Sequence, residues 1–70
     1  MKGTLQQWRM FRGMTRKKLA EAIGRSEPTI SNWEKGVSEP TATDIANIEK
    51  MLNIKWSDDV IFVPKDLRKK

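Results

Sequence analysis

Residues 15–36 read TRKKLAEAIGRSEPTISNWEKG, and this stretch decides the fold. Apolar residues recur at helical spacing on both sides of Gly24, which predicts two short helices separated by a glycine. The first helix is expected over about residues 16–23, and the second begins at Ser26 and runs to about Lys35. The stretch therefore predicts a pair of helices joined by a tight turn.

The first of these helices begins with positive charge at its positive end. Thr15 is a good N-cap. The turn that follows holds Arg16, Lys17 and Lys18, and each exposed cation there costs about 0.3–1 kcal/mol against the helix dipole. Because a bound polyanion would compensate this charge, the cluster predicts a phosphate-binding corner. An ordinary solvated face is the alternative, since Lys and Arg are adequate helix formers.

Composition limits the class of protein. The chain has 70 residues, enough for one domain with a small core, and it contains no cysteine and no histidine. Those absences exclude a disulfide framework and the usual zinc sites, so no metal and no cofactor are expected. We predict one domain over residues 1–63 and a basic C-terminal tail over residues 64–70.

The sequence also lacks the marks of a membrane protein or an enzyme. No apolar stretch is long enough to cross a bilayer and the N-terminus has no signal-peptide core, so a cytoplasmic protein without a membrane partner is expected. There is no glycine-rich phosphate loop and no paired-carboxylate site. We therefore expect neither an enzyme nor a small-molecule substrate.

The basic residues are unevenly distributed. The chain carries 14 basic and 9 acidic side chains. Residues 1–25 hold seven basic and one acidic, residues 26–62 hold three and seven, and residues 63–70 hold four and one. This asymmetry predicts one basic face, a common feature of nucleic-acid binding. Ordinary solubility charge is the alternative.

Two further helices flank the central pair. The first is expected to begin at Thr4, with Gln7 completing a capping box, and to end at Gly13. Its predicted apolar residues are Leu5, Trp8 and Phe11. The other is capped by Thr41 with Asp44, ends at Asn53 and carries the apolar stripe Ile45, Ile48 and Leu52.

The C-terminal part has two interpretations. Ser57 followed by Asp58 and Asp59 is a sound helix start, which predicts a short fifth helix over about residues 57–62. The apolar run Val60 to Val63 has the composition of a strand, so an extended segment is the alternative. Pro64 ends either structure.

Two short helices joined by a tight glycine turn make a helix-turn-helix. In this motif the second helix fits the major groove, its N-terminal residues reach base edges, and the first helix crosses the phosphates. Contact of the first helix with DNA phosphates accounts for the cations at residues 16–18, so the domain over residues 1–63 is predicted to bind DNA.

Residues 5–54 resemble the lambda-repressor/Cro-like helix-turn-helix family. The matching residues are Leu5, Trp8, Arg9, Gly13, Met14, Thr15, Arg16, Leu19, Ala20, Ile23, Gly24, Ser26, Thr29, Ile30, Trp33, Glu34, Gly36, Pro40, Ile45, Ile48, Leu52 and Ile54. The resemblance implies an all-α, compact five-helix bundle. It implies transcription regulation, often in phage or mobile elements, by a repressor that binds double-stranded DNA, with a homodimer on a pseudo-palindromic operator.

The resemblance also implies site residues. Arg9 and Glu34 stand where the family forms a buried ion pair. The resemblance implies phosphate contacts at Thr15 and Arg16, with Arg16 in a place where relatives often have Gln, and the basic charge of the motif adds Lys17, Lys18, Arg25 and Lys35 as predicted phosphate contacts. The implied base contacts are Ser26, Glu27, Pro28, Thr29 and Asn32. Asn32 can pair with adenine, Glu27 can accept from cytosine, and Pro28 can only offer apolar contact.

A second class of function stays open. Four residues near the C-terminus, Trp56, Ile61, Phe62 and Val63, form a predicted association surface. That surface could make the homodimer, or it could bind another helix-turn-helix regulator such as a repressor, in which case the chain would be an accessory or antirepressor protein. The steep salt dependence of DNA binding separates the two functions.

Overall fold

The computed structural model describes residues 2–62. This part of the chain forms five helices, which are α1 (Leu5–Phe11), α2 (Arg16–Ile23), α3 (Glu27–Lys35), α4 (Ala42–Leu52) and α5 (Trp56–Asp59). The predicted all-α, five-helix class is therefore confirmed. None of these helices is long and apolar enough to span a membrane. Val63, Pro64 and the predicted tail over residues 64–70 lie outside the described residues.

Local sequence sets the helix starts as predicted. The hydroxyl of Thr4 accepts from the backbone N–H of Gln7, whose side-chain oxygen accepts from the N–H of Thr4. Thr15 Oγ1 accepts from the N–H of Lys18 at 3.0 Å. A second capping box joins Thr41 to Asp44 at the start of α4. Each cap satisfies backbone donors that the helix itself leaves unpaired.

The helix ends at α2 and α3 both require a left-handed backbone. Gly24 has φ 73° and Gly36 has φ 75°, values that glycine adopts without steric cost. Only residues 24–26 separate α2 from α3, and the two helices pack directly on each other. This contact builds the predicted helix-turn-helix.

The core lies where α2 meets α3 and α4. Four large side chains are fully buried there, namely Leu19, Ile30, Ile48 and Leu52. Trp8 of α1 and Trp33 of α3 extend the same cluster. Burying each of these side chains contributes about 1.5–3 kcal/mol relative to leaving it in water.

Phe11 differs from the prediction that placed it on the apolar face of the first helix. It is 63% exposed, with its ring edge against Trp8 at a centroid distance of 5.7 Å. A spacing of three residues falls about 60° short of a full turn each time, so Phe11 is rotated by about 120° from Leu5 and leaves the core. Trp8, midway between them, stays buried.

The fifth helix is shorter than predicted. Lys55, not Ser57, is its N-cap, and the carboxylate of Asp59 accepts from the Lys55 N–H at 2.8 Å. The helix ends at Asp59, so the predicted helix over residues 57–62 is wrong beyond that residue, and the extended alternative holds at Val60, whose backbone is extended.

A long-range contact explains the extended C-terminal segment. Val60 forms an isolated parallel bridge with Gly3. The Gly3 N–H donates to the Asp59 carbonyl at 2.9 Å, and the Ile61 N–H donates to the Gly3 carbonyl at 2.8 Å. Trp8 Nε1 donates to the same Asp59 carbonyl, so α1 holds this segment in place.

Candidate nucleic-acid interface

The turn between α2 and α3 is fixed by backbone and side-chain hydrogen bonds. The Arg25 N–H donates to the Ala20 carbonyl at 2.8 Å, which closes α2 after Gly24. Ser26 is the N-cap of α3, but its hydroxyl bonds to the hydroxyl of Thr29 at 2.9 Å instead of capping a backbone N–H. One proton of this hydroxyl pair remains for an external acceptor.

The five predicted base contacts lie together on the first turns of α3. Ser26, Glu27, Pro28 and Asn32 are exposed and Thr29 is half-buried. The opposite face of the helix buries Ile30 and Trp33. Pro28 fits the first helical turn because a backbone N–H there has no partner within the helix. The buried face fixes the helix to the core, and the polar face is left to solvent.

Lys35 extends this exposed face toward the end of α3. It is exposed, and it follows Pro28 by seven residues, which is almost two helical turns. The two side chains therefore leave α3 on the same side. At the start of α2, Thr15, Lys17 and Lys18 are also exposed.

The carboxylate of Glu34 joins three helices. Arg9 Nε donates to Glu34 Oε2 at 2.7 Å, and Arg16 Nε donates to Glu34 Oε1 at 2.9 Å. The Glu34 side chain is 2% exposed and that of Arg9 is 9% exposed. Arg9 Nη1 also donates to the Met14 carbonyl at 2.7 Å, just before α2. Arg9 and Glu34 thus form a buried pair, and Arg16 is a further partner that the sequence did not indicate.

A third ion pair fixes the turn to α4. Arg25 Nε and Nη2 donate to the two carboxylate oxygens of Asp44 at 2.8 and 3.1 Å. This hydrogen bonding lowers the pKa of Asp44 below its ordinary value against the opposing effect of burial, and hydrogen bonds from Thr41 lower it further. The same carboxylate caps α4, so Asp44 links the helix-turn-helix to the next helix. The sequence had suggested only the capping role.

Arg12 also makes contacts within the fold, but with a backbone carbonyl and two aromatic rings. Its Nε donates to the Leu52 carbonyl at 2.7 Å, at the C-terminal end of α4, where a cation is favoured by the helix dipole. Its guanidinium also lies 5.4 Å from the ring centre of Trp8 and 5.2 Å from that of Phe11. Nothing in the sequence indicates that Arg12 makes these contacts, because it looks like any other arginine on a helix surface.

Arginines and lysines therefore play different parts in residues 2–62. All four arginines in this range, Arg9, Arg12, Arg16 and Arg25, make hydrogen bonds within the fold. The three ion pairs of the described residues leave out Lys17, Lys18 and Lys35. All six lysines of residues 2–62 are exposed, and these three are the ones that lie on α2 and α3, where the Arg16 side chain is also 41% exposed.

The predicted association residues lie at the other end of the chain. Trp56 and Phe62 are half-buried and their rings pack at a centroid distance of 6.1 Å, while Ile61 is 47% exposed. Val63, the fourth predicted member, lies outside the described residues. A separate open cavity of about 350 Å³ lies beside Trp8 and Phe11.

No group of three or more His, Cys, Asp or Glu side chains within residues 2–62 is arranged to hold a metal ion. The site instead offers amide, hydroxyl and carboxylate groups on α3, together with the ammonium groups of Lys35 at the end of α3 and of Lys17 and Lys18 at the start of α2. Such an arrangement can bind a negatively charged surface. The cations attract its charges, and the polar groups on the exposed face of α3 bond to its hydrogen-bond donors and acceptors.

Comparisons with known proteins agree with this geometry. A helix-turn-helix family model matches residues 5–58, a range that begins with α1 and ends within α5. No curated protein and no solved structure matches the chain significantly. The family model covers more than half of the chain and includes the whole α2–turn–α3 unit. The protein therefore belongs to the lambda-repressor/Cro-like helix-turn-helix family, which is a family of DNA-binding regulators.

Proposed function

We propose that the protein is a sequence-specific regulator of transcription that binds double-stranded DNA as a repressor, with α3 in the major groove. The observation that carries this proposal is the division of α3 into a buried face and an exposed polar face at its N-terminal half. The major groove admits one α-helix, and the first turns of a recognition helix reach the base edges.

The exposed side chains of α3 suit base recognition. The Asn32 amide can bond to N6 and N7 of adenine, and the Glu27 carboxylate can accept from N4 of cytosine. Pro28 can contact a thymine methyl group. The hydroxyl pair of Ser26 and Thr29 can donate its remaining proton to a base acceptor. Together these groups would read a short run of base pairs.

Phosphate contacts would come from both ends of the motif. Lys17 and Lys18 lie at the start of α2 and Lys35 at the end of α3, and all three are exposed. Thr15 accepts the capping bond from Lys18, which leaves its hydroxyl proton free to donate to a phosphate oxygen. Arg25 has already given two donors to Asp44, so it would contribute less than the lysines.

A homodimer would extend the recognised sequence. One recognition helix contacts few base pairs, and symmetric dimers of this motif read two half-sites about 34–36 Å apart. We propose that two copies bind a pseudo-palindromic operator in this way. Neither a cofactor nor a small-molecule substrate is part of the proposal.

Selection of bound duplexes from a random pool tests base recognition. The wild-type chain should enrich a two-fold symmetric sequence. Asn32→Ala should cost about 1–3 kcal/mol on that sequence and relax one position in each half-site. Asn47→Ala on α4, a half-buried amide outside the proposed interface, is the matched control and should keep the preference. Equal weakening of selected and random duplexes by Asn32→Ala would show that Asn32 does not read a base.

A salt titration tests the phosphate contacts. Because each neutralised phosphate releases counterions, Lys17→Ala should reduce the slope of log K against log salt concentration by about one. The loss of affinity should be similar for every duplex, since phosphates carry no sequence information. An unchanged slope would remove Lys17 from the interface.

The C-terminal surface favours a second candidate function. Ile61 is exposed beside the packed rings of Trp56 and Phe62, so apolar area is available to another protein. A chain that used this surface to bind another helix-turn-helix regulator would act as an accessory or antirepressor protein. Failure of the pool selection to enrich any sequence would favour this candidate.

A further inference from the structure

One carboxylate connects the recognition helix to the start of α2. Glu34 lies on α3, and its side chain is almost completely buried. One of its oxygens accepts from Arg9 of α1 and the other from Arg16 of α2. A carboxylate bound by two guanidinium groups and held in the core has little freedom to rotate, because both oxygens are engaged in charge-assisted hydrogen bonds.

The two arginines on this carboxylate differ in exposure. The Arg9 side chain is buried, and it also donates Nη1 to the Met14 carbonyl. The Arg16 side chain is 41% exposed and contacts Glu34 through Nε. A guanidinium has five N–H donors in a rigid plane, so a group that is bound at Nε can still present its two terminal amino groups to a second anion.

We propose that Glu34 is a positioning residue for DNA binding, which fixes the guanidinium of Arg16 so that its terminal amino groups bind one phosphate of the duplex. This inference rests on the proposed DNA-binding function and deepens it. Lys17 and Lys18, which have no part in the ion pairs of the described residues, lack such a fixed orientation.

The position of Glu34 on α3 would connect the contact between Arg16 and a phosphate to base recognition. Phosphate contacts set the register and orientation of a protein on the duplex, and base contacts then read the sequence. Glu34 belongs to the same helix as Asn32, so the phosphate bound by Arg16 would be held in a fixed relation to the base-reading side chains. Because Glu34 orders the Arg16 side chain in advance, Arg16 loses less conformational entropy when it binds a phosphate than an unsupported arginine would.

Arg16→Lys is the discriminating variant. Lysine keeps the charge but is a compact point charge without the fork that holds a carboxylate and a phosphate together. Binding of the full chain to a duplex pool of random sequence would be measured by fluorescence anisotropy over a salt series. The proposal expects Arg16→Lys to lose about tenfold in affinity, nearly as much as Arg16→Ala, which corresponds to one charge-assisted hydrogen bond. It also expects the salt slope to fall by about one.

Glu34→Gln completes a double-mutant cycle. Removal of the negative charge by itself favours DNA binding, and the same substitution in the background of Arg16→Ala, which has no group to pair with Glu34, measures that electrostatic gain alone. The proposal expects the gain to be about fivefold smaller when Arg16 is present, because the neutral amide forms a weaker bond to the guanidinium. Lys50→Ala, which removes an exposed cation of α4 outside the proposed contacts, should leave the affinity nearly unchanged.

Thermal unfolding by circular dichroism would establish that each variant is folded. If Glu34→Gln does not fold, the comparison of Arg16→Lys with Arg16→Ala decides the question. If the wild-type chain binds DNA, two results would overturn the positioning role. One is an Arg16→Lys variant with wild-type affinity and salt slope, and the other is an effect of Glu34→Gln that is the same with and without Arg16. No detectable binding by the wild-type chain would refute the proposed function and this inference together.

Discussion

Replacement of Glu34 by Ala should come close to unfolding the protein. The substitution removes a carboxylate whose side chain is 2% exposed and leaves Arg9, whose side chain is 9% exposed, without its charged partner. A buried charge whose partner has been removed typically costs about 3–5 kcal/mol. The Met14 carbonyl still accepts from Arg9 Nη1, but it is a neutral acceptor and offsets only part of that cost.

The expected loss is large compared with the total stability. At roughly 0.05–0.15 kcal/mol per residue, a chain of this size unfolds with a free energy of about 4–10 kcal/mol. Loss of the exposed partner should matter much less, and Arg16→Ala should cost less than about 1 kcal/mol because water replaces its half of the contact. The structure thus predicts very different effects for two residues that share one carboxylate.

Urea denaturation followed by circular dichroism and tryptophan fluorescence measures these differences. Glu39→Ala, which removes an exposed carboxylate, is the matched control and should change the free energy of unfolding by less than about 0.5 kcal/mol. The double variant Arg9→Met/Glu34→Leu should recover most of the loss, since apolar residues replace a buried pair at little cost. A loss below about 1 kcal/mol for Glu34→Ala would refute the reasoning, because it would mean that Arg9 regains water or a new partner.

Two further predictions concern the acid limb of stability and the C-terminal surface. Because Arg25 and Thr41 lower the pKa of Asp44, this carboxylate stabilises the fold at pH values above the ordinary aspartate pKa of 3.8, and the contribution is lost as pH falls through the lower folded pKa. Asp44→Asn should therefore lower the melting temperature at neutral pH and flatten its fall below about pH 4, and an acid limb identical to that of the wild type would contradict this assignment. Phe62→Glu should shift the protein toward the monomer in sedimentation at all concentrations, whereas Val37→Glu, at an exposed apolar residue elsewhere, should not. A folded Phe62→Glu variant with wild-type mass and wild-type DNA binding would place the interface elsewhere.

Helix limits could be predicted from the sequence because they depend on neighbours along the chain. The caps at Thr4, Thr15 and Thr41 bond to residues three positions later. Gly24 and Gly36 end their helices through their own backbone freedom. The apolar spacing around Gly24 was enough to place the helix-turn-helix and the exposed face of α3.

The buried face of α1 and the end of α5 were less predictable from the sequence. Phe11 had the same chemistry and spacing as Trp8, and only the accumulated rotation along α1 brought it out of the core. The segment from Val60 to Phe62 could have continued α5, but the backbone of Gly3 offered it hydrogen bonds from the other end of the chain. A strand-like composition became an extended structure only because that partner was in place.

The sequence by itself determined the first four helices, the turn between α2 and α3 and the total basic charge of this protein. Only the tertiary structure decided which cations remain for an external anion. Arg12 bonds to a carbonyl 40 residues away, and Arg9 bonds to a carboxylate 25 residues away. Contacts at such separations follow from the packing of whole helices and leave no periodic signal in the chain, so structural arginines and exposed lysines look alike until the fold brings their partners together.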